Sequence, residues 1–280
     1  MYPAHYYGLF PAFPRKKTVF VAMSFDASFE RRWVDVLAPA ISAVSIDDIP
    51  LEPVRVDARV VGDSILTEIL SGIGSSQVVL ADISSIGELD GRPIRNGNVM
   101  YEVGLAHAVR LPEEVLLFRS DDNQLPFDTA NVRVNKYAPD DLPEEAQTLV
   151  SNAIVSALRE VNLQKHLAVR TVADSLDATS FGILVKCQLE GQYCHPERKT
   201  MGQAMAAVSI ESAIQRLLTL GLLEVRYKAH TLEELNSKGV ELSGDAMPYF
   251  ITTFGKAVFH EISQRMAGKA VQELQSRDAQ

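Results

Sequence analysis

Cysteine is scarce in this chain: only Cys187 and Cys194 occur, close to each other and to His195. Two thiols and one imidazole do not complete a structural zinc set, and no export signal favours oxidation, so they read as ordinary thiols. No apolar run approaches the ~20 residues that a membrane-spanning helix needs. The N-terminal run Met1-Tyr2-Pro3-Ala4-His5-Tyr6-Tyr7 lacks both a basic segment and a continuous apolar segment, so it does not read as a signal peptide. The expected location is the cytoplasm, with no membrane partner. A phosphate-binding G-x-x-x-x-G-K-[ST] loop, a G-x-G-x-x-G turn and a G-x-S-x-G elbow are all missing. ATP hydrolysis, ordinary dinucleotide redox chemistry and serine hydrolysis are therefore not indicated, and no cofactor is expected.

What is present is an ordinary globular composition, 46% apolar and 22% charged over 280 residues, enough for two modest domains. The net charge of -9 is unevenly placed. Residues 1–163 carry 14 Lys/Arg against 23 Asp/Glu, while residues 164–280 carry 13 against 13. An acidic first half is a poor surface for nucleic acid, which needs clustered cations, and the neutral second half leaves that question open.

Residues 1–17 are rich in Tyr, Phe and Pro and read as an arm, whose rings need a partner surface on this chain or a neighbour. From Thr18 short apolar runs alternate with helical windows. Strands are expected at 18–23, 51–56, 77–83, 115–118 and 132–134, and helices at 28–44, 63–73, 98–110 and 143–163. The segment 84–97 has turn composition, and Asn98 is the expected cap of the helix that follows. This order predicts an α/β fold, a Rossmann-like doubly wound parallel sheet over residues 18–163. Such a sheet binds ligands beyond the carboxyl ends of its strands.

In residues 164–280 the pattern changes. Phe181 to Cys187 reads as helix or strand, Ser209 to Leu220 as an amphipathic helix, Leu222 to Tyr227 and Tyr249 to Thr253 as strands, and Phe254 to Ala267 as a final helix. With Gly221-Leu222-Leu223-Glu224 after the presumed recognition helix, this order resembles a winged helix, a smaller α+β domain. A recognition helix needs exposed cations, yet Ser209 to Leu220 offers only Arg216 beside Glu211. The second half is therefore expected to recognise a protein or a second subunit, with nucleic acid not favoured.

The segment Asn96-Gly97-Asn98-Val99-Met100-Tyr101-Glu102-Val103-Gly104-Leu105-Ala106-His107-Ala108 opens a helix after a strand ending in Asp82. Together with Val19-Phe20-Val21-Ala22-Met23-Ser24-Phe25-Asp26 and Ala81-Asp82-Ile83-Ser84, it resembles the nucleoside 2-deoxyribosyltransferase-like superfamily, which is related to TIR-like domains. Pro126-Phe127-Asp128, Arg133 and Tyr137 resemble that family's later strand region. The likeness spans roughly residues 18–160. It implies that Glu102 is the nucleophile and that Ser24, Phe25, Asp26, Asp57, Asn96, Asn98 and Tyr101 contact substrate. Cleaving an N-glycosidic bond develops positive charge at C1′, which a carboxylate stabilises or traps. A second carboxyl protonates the leaving base, with Asp82 the first candidate and Asp26 the second. Asp26 reads equally as a helix N-cap. His107 reads as a packed helical residue, while Arg55, Asp57 and Arg59 read either as phosphate or base contacts or as a solvated rim.

Several deoxyribosyltransferases carry an acidic residue shortly before the nucleophile, where this chain has Asn96 and Asn98. The expectation therefore widens to an N-glycosidase or ribosyl transferase acting on a nucleoside, nucleotide or NAD. The resemblance also suggests a homo-oligomer and a bacterial defence or toxin setting. The reading from another class is a catalytically idle nucleotide sensor whose second domain binds DNA or a protein.

Overall fold

The computed structural model describes residues 8–11, 14–56, 65–125, 132–193, 201–225 and 248–278, with backbone alone for 201–206 and 269–278. The chain divides into two compact units, Phe13–Leu163 and a second made of Met1–Ala12 with Gln164–Gln280.

The first unit is built on a five-stranded, wholly parallel sheet in the order β4-β1-β5-β8-β9. The strands are β1 (Thr18–Ala22), β4 (Glu52–Val54), β5 (Val78–Asp82), β8 (Val115–Arg119) and β9 (Val134–Lys136). β5 is buried at every position, as a central strand covered on both faces must be. Pro53 cannot donate to a ladder, and it sits in β4, at the sheet's edge.

Two helical layers cover the sheet. α1 (Ala27–Arg32) continues through a π-helical turn (Trp33–Leu37) into α2 (Ala38–Ser42). Their Phe29, Val36, Leu37 and Ile41 share a core with Val150 and Ile154 of α5 (Pro143–Ser175) and with Val19, Val21 and Leu80 of the sheet. α3 (Ile65–Ser75) and α4 (Gly97–Val109) supply Ile73, Val99, Val103 and Ala106 to a second core with Phe20, Val79, Ala81 and Leu117. Alternate residues of β1 and β5 thus feed opposite cores, the period-2 geometry of a strand. This is the doubly wound α/β arrangement.

Several local expectations need correction. The segment 84–97 is not merely turn: β6 (Ser85–Leu89) and β7 (Arg92–Arg95) form an antiparallel hairpin. Its corner is Asp90-Gly91, at φ 52° and 71°, a left-handed pair that Asp-Gly adopts readily. A shorter hairpin, β2 (Ser45–Ile46) with β3 (Ile49–Pro50), turns at Asp47-Asp48. α4 starts before Asn98 and is capped by Asn96. α5 does not stop near Leu163 but runs to Ser175, because no Gly or Pro interrupts it.

The second unit adds α6 (Ala178–Glu190), α7 (Met201–Thr219), β10 (Leu223–Val225), β11 (Tyr249–Ile251) and α8 (Thr253–Asp278). β10 and β11 pair antiparallel, and Tyr193 bridges Tyr249. Asp177 caps α6 by accepting from Ser180 N at 2.7 Å. The stretch 181–187 is helix. α7 is continuous from Met201, so the expected recognition helix, Ser209 to Leu220, is only its second half. The turn that separates the helices of a helix-turn-helix does not occur within Met201–Thr219. Of the N-terminal arm, Leu9 is buried and Phe10 stacks on Phe254 at 4.6 Å. Tyr2, Tyr6, Tyr7 and Phe13 lie outside the described residues.

α3 crosses β1 closely at Gly72, where an added Cβ would lie 2.3 Å from the Phe20 ring. Gly74, two residues on, faces open space. Gly72→Ala should destabilise the unit by about 2 kcal/mol or more through overpacking. Gly74→Ala should be neutral or add up to about 1 kcal/mol through helix propensity. Urea denaturation of both variants checks the contrast.

Candidate functional site

The carboxyl ends of β1 and β5 and the start of α4 meet at one rim of the sheet. β1 leads into Ser24, which is buried. Its Oγ donates to Asp26 Oδ2 at 2.7 Å and accepts from Asp26 N at 3.3 Å and from Asn96 Nδ2 at 3.2 Å. Asn96 in turn caps α4, its Oδ1 accepting from Asn98 N at 3.0 Å and Val99 N at 3.4 Å. Asp26 stands at the N-cap position of α1, but its side chain makes no capping bond. Its carboxylate is turned to Ser24 instead.

Asp82, at the end of β5, has a fully buried side chain. It accepts from Arg32 Nη1 at 3.2 Å, from Tyr137 Oη at 2.6 Å, from Ser84 N at 3.0 Å and from Ser84 Oγ. Arg32 also reaches Asp140, at 3.1 and 2.6 Å, and lies over the Phe29 ring at 4.3 Å. Burial opposes the charge on Arg32, but the Asp140 hydrogen bond and the Asp82 charge outweigh it and raise its pKa. Burial pushes the Tyr137 phenol well above its ordinary value, and the neighbouring Asp82 charge pushes it further. Every donor around Asp82 points at the carboxylate. It therefore orients its neighbours.

Glu102 has the opposite environment. It lies on a flank of α4 between the buried stripe Val99, Val103 and Ala106 and the exposed Tyr101. Among the described residues it makes no hydrogen bond or ion pair. Desolvation by burial raises its pKa from 4.5 to about 7. Burial also lowers the pKa of His107. A carboxyl near pKa 7 without a fixed partner can act as nucleophile, base or acid at neutral pH.

A third group lies beside Asp26. Phe25 is 43% exposed, and the Arg55 guanidinium sits 5.3 Å from its ring centre and 4.7 Å from that of Trp33. Arg55 Nη2 donates to both Glu30 oxygens at 2.8 Å. This gives a partly exposed aromatic ring with a fixed cation over it.

Of the residues expected to form the site, Ser24, Asp26 and Asn96 are joined by hydrogen bonds. Asp82 belongs to the separate Arg32 network, and neither group is hydrogen-bonded to Glu102. Asn98 and Tyr101 are exposed on the first turns of α4. Asp57 and Arg59 lie outside the described residues, as do Cys194 and His195. Cys187 is a buried thiol. The sequence reading missed Arg32 and Asp140 and the stacking of Arg55; a lone Arg in an amphipathic helix carries no local signal of a distant acid. Among the described residues no cluster of three or more His, Cys, Asp or Glu could hold a metal ion, and no helix is long and apolar enough to cross a membrane.

No family model and no curated protein matches the chain. One solved structure similar to it is the metal-soaked Flv1 flavodiiron core from Synechocystis sp. PCC6803, at 12% identity and a TM-score of 0.34. The match covers 52% of this chain and 36% of that one. A likeness this slight bears on no residue of the site.

Two stability tests follow from the two carboxylates. Asp82→Ala leaves the buried Arg32 with Asp140 alone and Tyr137 without its acceptor. It should cost about 3 kcal/mol in urea denaturation. For Glu102 the folded pKa is raised, so between pH 4.5 and about 7 the folded state keeps a proton that the unfolded chain has lost. Stability from this residue is full below that window and is lost as pH rises through it. Glu102→Gln should therefore melt about 2 °C or more above wild type at pH 8 and match it at pH 4.

Proposed function

We propose that the Phe13–Leu163 unit cleaves an N-glycosidic bond of a nucleoside, nucleotide or NAD, with Glu102 attacking C1′. The observation that supports this is Glu102 itself, desolvated and without a partner among the described residues, on a helix that begins at the carboxyl rim of the sheet. In the first step a Glu102 oxygen bonds to C1′ while the C1′–N bond breaks, and its electron pair leaves with the base. The base takes up a proton, for which Asp82 is the first candidate donor and Asp26 the second. Water, or a second base in a transfer reaction, then displaces the glycosyl ester and restores the carboxylate. Phe25 offers its exposed part for stacking on a base, with the Arg55 cation over the ring. Asn98 and Tyr101 offer an amide and a phenol from the same rim.

In this reading residues 164–280 recognise a protein or a second subunit rather than nucleic acid. Arg170, Arg216 and Arg265, which could have faced phosphates, are paired with Glu261, Asp177 and Asp174. The protein is read as cytoplasmic and homo-oligomeric.

Incubation with nucleosides, nucleoside monophosphates and NAD, followed by chromatography for free base, tests the activity. Glu102→Gln should lower base release about a thousandfold or more. As a nucleophile Glu102 must be ionised, so kcat/KM should rise with pH to a plateau above about 7. Near wild-type base release by Glu102→Gln defeats this mechanism. Tight retention of intact nucleotide without cleavage selects the sensor reading.

A further inference from the structure

The Asp26–Ser24–Asn96 chain of hydrogen bonds admits only one arrangement of protons. Two backbone N–H groups of α4 point at Asn96 Oδ1, at 3.0 and 3.4 Å, so the atom facing Ser24 is the amide nitrogen. An amide nitrogen donates. Ser24 Oγ must accept there, and it also accepts from Asp26 N, so its single hydrogen goes to Asp26 Oδ2. All three hydrogen-bonding positions of the Ser24 hydroxyl are thus engaged within the protein. A buried hydroxyl in that state has nothing left for a substrate.

We propose that Ser24 is a positioning residue: its hydroxyl, oriented by Asp26, holds Asn96 and so fixes the first turn of the helix that carries Glu102. This rests on the reading of Glu102 as the reactive carboxyl, but its physical content concerns the helix. β1 lies inside the sheet, between β4 and β5, so its end is a firm anchor. α4 begins two residues after β7, on a hairpin whose Leu89 is exposed. A two-stranded hairpin is marginally stable by itself, and here Arg95 at its end is held by Ile83 O and by Asp121 at 3.0 Å. The link from Asn96 to Ser24 ties that start to β1. Asn96 is then a cap and a strut, not the sugar ligand that its place in the sequence suggests. Ser24 likewise leaves the set of substrate contacts, while Asp26 keeps one oxygen, Oδ1, that Ser24 does not use.

The test is a double-mutant cycle on the full chain. Ser24→Ala removes the acceptor from Asn96, and Asn96→Ser keeps a neutral capping oxygen while removing the amide donor. The readouts are the titration midpoint of the Glu102 side-chain carboxyl by carbon NMR and, where base release is found, kcat and KM separately. Each single variant should lower the Glu102 midpoint by about half a pH unit or more, as water enters beside a loosened first turn. The double variant should do no more than either single one, because both cut the same link. Ser24→Thr, which keeps the hydroxyl, should restore the midpoint. In turnover the loss should fall on kcat, with KM near wild type. Should Ser24→Ala fail to fold, the cap variant and Ser24→Thr carry the test. An unmoved midpoint in Asn96→Ser, or additive shifts in the double variant, overturns the proposal. Because the midpoint is read without substrate, absence of glycosidase activity leaves this result standing on its own.

Discussion

Burying the Asp82 carboxylate at the end of the central strand is the constraint around which the first unit is arranged. A charge removed from water is tolerated only when it is paired and its lone pairs are filled. Here the compensation comes from three separate stretches: Arg32 at the end of α1, Ser84 just beyond β5, and Tyr137 just beyond β9. Arg32 then draws in Asp140. Satisfying one carboxylate therefore closes the carboxyl end of the sheet, joining a helix on one face to the strand at the far edge. A second such device works at the opposite end. There Arg110 donates to the carbonyls of Ile73, Ser76 and Gln77 and pairs with Glu114, which also takes Arg15. Burial lowers the Arg110 pKa to about 9. Both ends of the sheet are thus held by an arginine shared between segments.

Against that frame two acidic residues of the rim, Asp82 and Glu102, differ in environment. Asp82 is surrounded by donors and serves the fold. Among the described residues Glu102 is desolvated with no hydrogen bond or ion pair to offset it. A carboxyl perturbed in this way is a candidate reactive group. The helix that carries it contributes to this state: α4 has no Lys or Arg, and Glu102 is its only acidic residue. No cation one turn away is available to pull the proton off.

Much of the first unit was legible in the chain because its signals are local. The runs at 18–23 and 77–83 are continuous and apolar because those strands are covered on both faces, and the helical windows between them carry stripes at 3.6-residue spacing. Glu102 stands out because its Tyr101-Glu102-Val103-Gly104 segment resembles a family motif, not through a periodic signal. The hairpin after Ser84 was missed although Asp90-Gly91 announced its corner, since its strands are short, exposed and lack clean alternation. The end of α5 was missed because the helix passes from one unit into the other with no residue that breaks it.

By itself the sequence determined the order of the main strands and helices and the parallel sheet, which depend on periodicity and on neighbours a few residues apart. Only the tertiary structure decided what each polar side chain does. Arg32 and Asp82 are 50 residues apart, Tyr137 and Asp82 55, and Asn96 and Ser24 72. Whether a carboxylate is held, wired or left alone depends on donors brought to it through space. For that reason the sequence could list Ser24, Asp26, Asp82, Asn96 and Glu102 as one group, while the fold sorts them into a strut, a keystone and an uncompensated acid.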